Sequence, residues 1–421
     1  MIKISKFVGS KGLIRLEKIL DKRKSSQNKH LPIVSKILKD IKKNKNKAVL
    51  KYEMRFTKNT KIKPSSKEIK QATKFLSPNI KKAIDFAYNR ILKYHSLQKI
   101  KDISYKDKLN NYLQYKSIPI NTVGIYVPAN LPSTLLMNAI PAKIAGVKKI
   151  ILANPRLNKK LNPAVIYAAK KIGIKEIYSI GGAQAIGSLA YIQKVDKIVG
   201  PGNIFVAKAK KEVFGDVGVE GMVAGPSEIT ILADRKSKIE SVVTSLIGQA
   251  EHDINSQCII ISKDTKLLRN VSKLIKLKLK NLPRKKIAEK SLKINGLLIK
   301  AVNDKNIVDL INLISPEHLE LQVHKPNKYL KKIFNAGSIC IGKFSAMAVT
   351  DYNAGTNHVL PTMGSARFSS GLNVSDFCKK ISYINLSKKG IEVIGKQAIT
   401  LAEYENLEGH AQSIKSRIRS N

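Results

Sequence analysis

The spacing of apolar residues changes along the chain. Between residues 12 and 100 they recur three and four positions apart, in "GLIRLEKILDKR", "LPIVSKILKDIKKNKNKAVLKYEMRF" and "SPNIKKAIDFAYNRILKYHSLQ", a pattern that predicts amphipathic helices. From about residue 116 the rhythm shortens. "TVGIYVPA" reads as a strand, "PSTLLMNAIPAKIAG" as a helix, "KKIILANP" as a strand, "NPAVIYAAKKIG" as a helix closed by Gly173, "KEIYSIGG" as a strand and "AQAIGSLAY" as a helix. A second series follows: "SEITILAD" and "QCIIISKD" as strands around the helix "IESVVTSLIGQAEHD", then a long basic helix, "NGLLIKAV", "SPEHLELQV" and the strand "AGSICIG". The Gly-, Asn- and Ser-rich stretch from Thr350 to Phe377 reads as loop, and helix returns after about residue 386.

Strands that alternate with helices of this length imply right-handed crossovers and parallel sheets. The expected fold is therefore α/β, with two related doubly wound, incomplete Rossmann-like domains between helical N-terminal and C-terminal segments. The expected boundaries are a helical segment over 1–115, its later part packing on the second α/β domain, then α/β domains over 116–226 and 227–365, and a tail over 366–421.

Composition narrows the function classes. With 421 residues and 43% hydrophobic content the chain can bury a large core, and its apolar runs are far shorter than the roughly 20 residues of a membrane-spanning helix. The N-terminus shows no apolar block before a small-residue cleavage site, so a mature cytoplasmic protein is expected. Cys258, Cys340 and Cys378 have neither disulfide-framework nor metal-cluster spacing. The formal net charge of +47 raises the question of a nucleic-acid partner. Its lysines, however, alternate with Leu and Ile at helical spacing in 37–47 and 266–290, without interleaved aromatic residues, which describes solvated helix faces. No specific nucleic-acid partner is expected.

Candidate chemistry sits in a few clusters. Gly181-Gly182, "VGPGN" (199–203) and "AGPSE" (224–228) are glycine turns at predicted sheet edges, compatible with a ligand crevice at strand C-termini or with simple chain reversal. Of the seven histidines, His252, His318, His358 and His410 stand among acids or amides, whereas His30, His95 and His324 lie in basic or amphipathic contexts. In "QAEHD", Gln249 and His252 share one helical face and could reach one metal ion, although glutamine is an uncommon zinc ligand and spacing alone favours His252 with a carboxylate. Glu251 and Asp253 point elsewhere. "SPEHLE" opens with a helix-start signal and places Glu317 beside His318, a reasonable acid-base pair or a structural helix start.

Taken in order, "GGAQAIGSLAY", "VDKIVGPGN", "AGPSEITILAD", "QAEHD", "SPEHLEL", "AGSICIG", "DYNAGTNHVLPT", "ARFSSGLNVSDF" and "EGH" resemble the histidinol dehydrogenase family from about residue 115 to the end. The resemblance implies a four-electron oxidation of L-histidinol through histidinaldehyde to L-histidine with two NAD and one water, in a homodimer with sites between subunits. It implies zinc held by Gln249, His252 and Asp351, with His410 of the partner subunit. Glu317 and His318 match the acid-base pair, with His318 as base and Glu317 activating water. Ser227, His358 and Glu405 match substrate contacts, which His318 and the zinc ligands also border. Tyr126, Gln184 and Asn203 match cofactor contacts, which makes the first α/β domain the cofactor side. One departure is "YVPANLPST", where Ala129 and Asn130 replace the usual glycines. The alternatives are a related zinc- and NAD-dependent dehydrogenase of another small alcohol and, from a different class, a basic nucleic-acid-binding protein.

Overall fold

The computed structural model describes residues 2–27, 31–220 and 225–419, with side chains at 24–27 and 419 excepted. His30 and Ala224 of "AGPSE" therefore lie outside the described residues. Two parallel sheets form the body of the protein. The first runs, edge to edge, Glu176–Tyr178, Lys149–Ala153, Thr122–Tyr126, Lys197–Val199 and Gly218–Val219. Counted along the chain this is the order third, second, first, fourth, fifth. The second sheet repeats it with Gly296–Lys300, Gln257–Ser262, Glu228–Ala233, His318–Gln322 and Ser338–Ile341, and adds Ile4–Ser5 outside the third strand. Both follow the doubly wound order over five strands, so the two units are related as their patterns predict.

Central strands of a parallel sheet are covered on both faces and read as unbroken apolar runs. All residues of Glu228–Ala233 and Gln257–Ser262 are buried accordingly. Helices end where glycine can turn the chain: Gly146 and Gly173 sit at φ 92° and 96° and close the helices Pro132–Ala145 and Pro163–Ile172.

Four features depart from the sequence pattern. "SPEHLE" starts a strand rather than a helix: helix Asp304–Ile314 stops at Ser315, whose φ is 48°, and His318–Gln322 then pairs with Glu228–Ala233 on one side and Ser338–Ile341 on the other. Its alternation explains this, since Leu319 and Leu321 enter one core layer while His318 and Glu320 face the opposite way. The long basic helix is two, Thr265–Leu279 and Lys285–Asn295, interrupted around Pro283. The N-terminal segment also holds strand as well as helix. Ile103–Lys106 and Tyr112–Pro119 join Cys378–Asn385 in an antiparallel sheet, a pairing of distant segments that no local period records.

The fourth departure concerns where the N-terminal helices dock. Helix Gly9–Gln27 packs on helix Asp304–Ile314 of the second unit, whereas the later helices Pro32–Thr57 and Pro78–Ser96 pack on the first, against the expected assignment of the later part to the second. Gly187 permits that approach, because a Cβ there would stand 2.9 Å from Ile41 Cδ1. The C-terminal helices Lys388–Tyr404 and Glu408–Arg419 pack on each other, with Gly395 against Ile414 and Ile418. Among the described residues no helix is long and apolar enough to cross a membrane. The three cysteines are free, Cys258 and Cys340 buried.

Candidate active site

The doubly wound topology opens a crevice at the C-terminal edge of a sheet, between its first and fourth strands, where successive crossovers diverge. In the first sheet all three expected cofactor contacts lie at that edge. Tyr126 ends the first strand, Gln184 follows the third in the opening turn of helix Gly182–Tyr191, and Asn203 follows the fourth. Gly200, at φ 112°, lies so close to this edge that a Cβ would meet Tyr126 O at 2.0 Å, so only glycine fits. Asn203 is exposed and caps helix Ile204–Val213, its Oδ1 accepting from the amides of Phe205 and Val206 at 3.1 and 3.2 Å. Neither Ala129 nor Asn130 has a positive φ, so the "PAN" turn forms without a glycine conformation.

A residue with no local signature organises this edge. Glu53, on helix Pro32–Thr57, is buried, and its Oε1 accepts from Gly181 N–H and from Gln184 Nε2, both at 2.8 Å. Its Oε2 accepts from Thr57 Oγ1 at 2.8 Å. A carboxylate thus occupies the positive end of helix Gly182–Tyr191, a place that favours anions. The Tyr126 hydroxyl lies beside it, its pKa raised by burial, with the Gly182 amide donating to it.

Seven further candidates gather at the N-terminal edge of the second sheet. Ser227 immediately precedes the first strand, Glu317 and His318 lead into the fourth, and Gln249 lies at the end of helix Ile239–Ala250, which returns to this edge, with His252 in the turn after it. Helix Met347–Tyr352 brings Asp351, whose Oδ1 is 3.7 Å from His318 Nε2, and His358 Nδ1 is 2.7 Å from the Asp351 carbonyl oxygen. His358 and His252 are both near enough to His318 to disfavour its protonation electrostatically. "AGPSE" therefore belongs to this edge, opposite in sense to the other two glycine turns.

Burial dominates the electrostatics. It pushes the His318 pKa down to about 3, aided by His358 and His252, and that of His358 to about 4, aided by His252 against the bond to the Asp351 carbonyl, so both rings are neutral at pH 7. It raises Asp351 to about 7. Glu317 is raised well above the usual carboxylate range, first by burial and then by the charges of Glu228 and Asp351, against the opposing Glu228 N–H and Arg23. His252 is exposed by surface area, yet the protein on its inner side still lowers its pKa by desolvation. Glu251 stands close enough to raise it, while Asp253 turns its Oδ1 to the Asn255 amides.

Two buried atoms here lack hydrogen-bond partners, Gln249 Oε1 and His318 Nδ1. A buried carbonyl oxygen without a donor is costly, and neutral imidazole, carboxyl and amide oxygen form an electron-rich set that suits a cation. Among the described residues no group of three or more histidine, cysteine or acidic side chains within the single chain is gathered closely enough to hold a metal alone. Glu405, just past helix Lys388–Tyr404, and His410, on helix Glu408–Arg419, are exposed.

Known proteins resemble this chain over nearly its whole length. The family model for histidinol dehydrogenase matches residues 20–418. The histidinol dehydrogenase of Pelagibacter ubique is 57% identical over 411 residues, covering 96% of each chain. That of Lactiplantibacillus plantarum is 44% identical over 393 residues, covering 91% of this chain and 92% of its own. The crystal structure of histidinol dehydrogenase from Elizabethkingia anophelis superposes with a TM-score of 0.91 at 36% identity, covering 100% of this chain and 98% of that one. With its order of strands and its near full-length matches, the chain belongs to the histidinol dehydrogenase family, oxidoreductases of histidine biosynthesis.

Proposed function

We propose that the protein oxidises L-histidinol through L-histidinaldehyde to L-histidine with two NAD and one water, in the cytoplasm, as a homodimer that holds zinc. The observation that carries this reading is the buried, unpartnered Oε1 of Gln249, one turn from His252 at the edge that also gathers His318 and Asp351. Gln249, His252 and Asp351 would hold the metal with His410 of the partner subunit. Its contribution when bound is a Lewis-acid anchor that orients the substrate's amino and imidazole nitrogens.

Ser227, His358 and Glu405 complete the substrate contacts, and Tyr126, Gln184 and Asn203 contact the cofactor. His318, neutral at pH 7, takes the hydroxyl proton as hydride leaves the alcohol carbon, then releases that proton to solvent. In the second half Glu317 takes a proton from water as the water adds to the aldehyde, and His318 accepts the hydrate's proton as the second hydride leaves. A carboxyl whose pKa is raised holds a proton more tightly than an exposed glutamate, which suits that abstraction once it is ionised.

Exposed apolar surface supports the dimer. Ile384 on the antiparallel sheet is 70% exposed, and Leu401 and Tyr404 on the C-terminal helices are 61% and 86% exposed. A face of this kind calls for cover, and a second chain placing His410 beside His252 would supply it. Steady-state NADH formation tests the function: L-histidinol should yield two NADH each, with turnover abolished by a chelator and restored by zinc. Absence of turnover with added zinc would overturn it.

A further inference from the structure

We infer that Arg23 is a positioning residue for Glu317, acting through Glu228. It joins three of the segments that make the second-sheet edge. Its Nη1 pairs with the Glu228 carboxylate, its Nη2 donates to the Pro226 carbonyl at 2.9 Å, and its Nε donates to the Asn255 carbonyl at 3.2 Å. Pro226 precedes Ser227, and Asn255 follows the "QAEHD" turn that carries His252. One guanidinium from helix Gly9–Gln27 thus grips the residue before a substrate contact, the turn beyond a metal ligand, and the carboxylate next to Glu317.

Glu228 passes that grip on. Both Arg23 and Glu228 are buried, as is Glu317. Glu228 Oε1 accepts from Arg23 and from Met363 N–H at 2.9 Å, leaving Oε2 to accept from Glu317 N–H at 3.4 Å. In return Glu317 Oε2 accepts from Glu228 N–H at 2.7 Å. Each glutamate therefore binds the other's backbone, and the outer one is held by a planar fork whose donors are fixed in direction. A lysine at position 23 could supply charge to Glu228 but could not also reach both carbonyls in that geometry. The bond from Glu228 N–H to Glu317 Oε2 fixes the direction of the Glu317 carboxylate and so the aim of its Oε1.

This inference rests on the proposed role of Glu317 in the aldehyde half-reaction, and its test separates the two. In the full-length zinc-loaded protein, Glu228→Gln keeps volume but places an NH2 against either Arg23 or Glu317 N–H. We expect oxidation of supplied L-histidinaldehyde to fall about tenfold or more while the alcohol step changes by less than about threefold, the split that marks loss of one step's group. Glu228→Gln added to Glu317→Gln should cost little more, because both act through one group, and Arg23→Lys should slow the aldehyde step more in the wild type than in the Glu228→Gln background. Parallel loss of both half-reactions in folded Glu228→Gln, full activity of Glu228→Gln, or additive effects in either double variant would each overturn the inference. A crystal structure of Glu228→Gln reads it without turnover: Glu317 Oε2 should leave the residue-228 amide, and an unmoved Glu317 carboxylate would overturn it. An inactive wild-type protein would instead sink the functional reading alone.

Discussion

Removing the Glu53 carboxylate should both destabilise the protein and weaken its hold on NAD. In Glu53→Ala, Gly181 N–H and Gln184 Nε2 lose the single oxygen that both donate to, while Thr57 Oγ1 keeps its bond to the residue-53 carbonyl at 2.9 Å. Two buried donors left without a partner cost about 1–3 kcal/mol each, or about 2–6 kcal/mol together. Glu53→Gln retains an amide oxygen where Oε1 stands and turns its NH2 toward the Thr57 hydroxyl, which can accept. Only the charge-assisted part is then lost, about 1 kcal/mol. Urea unfolding should therefore show a midpoint far lower for the alanine variant and slightly lower for the glutamine variant, at an unchanged slope. Because Gln184 and the Gly181-Gly182 turn lose their anchor, KM for NAD should rise in Glu53→Ala while KM for L-histidinol holds. An alanine variant that unfolds like the wild type, or one in which the two KM values rise together, would refute the reasoning.

Three further outcomes follow from the second-sheet edge. Gln249→Leu fills the same buried volume without an oxygen, so zinc per chain measured by atomic absorption should fall while the melting temperature of the metal-free protein holds or rises; unchanged zinc content would exclude Gln249 as a ligand. Burial holds the folded pKa of His318 near 3, below the unfolded value near 6.5, so its stabilising effect is full above pH 6.5 and is lost as pH falls toward 3. The stability of metal-free wild type relative to His318→Gln should accordingly drop by about 1.4 kcal/mol per pH unit within that window, as denaturant unfolding at several pH values would show. Mixing His410→Ala chains with His318→Ala chains should restore activity, to about a quarter of the wild-type level if heterodimers form statistically and one of their two sites is intact. No recovery on mixing would count against a site shared between subunits.

The candidate residues were unequally legible. Histidines beside acids and amides stand out in any sequence, and "QAEHD" and "SPEHLE" each hold such a group. Nothing local marks Glu53 or Arg23. Glu53 is one acid in a helical stretch, and its partners lie 128 and 131 residues away. Arg23 is one cation among 77, and its pairing with Glu228 spans 205 residues. "AGPSE" does hint at Glu228, since an acid opens a strand buried along its whole length. Such a residue must find a partner or lose its charge.

The sequence by itself determined the alternation of strands and helices, the parallel sheets and the presence of two related units, because the period of apolar residues records how each element is buried. It also supplied the residue types that metal and acid-base chemistry need. Only the tertiary structure decided that "SPEHLE" is a strand, that the cofactor and metal candidates occupy opposite edges of their respective sheets, and that the N-terminal helices lend Glu53 and Arg23 to those edges. Periodicity is a property of neighbours in the chain. A buried carboxylate's partner is chosen by packing between elements far apart in sequence, where the cost of an unpaired charge is settled.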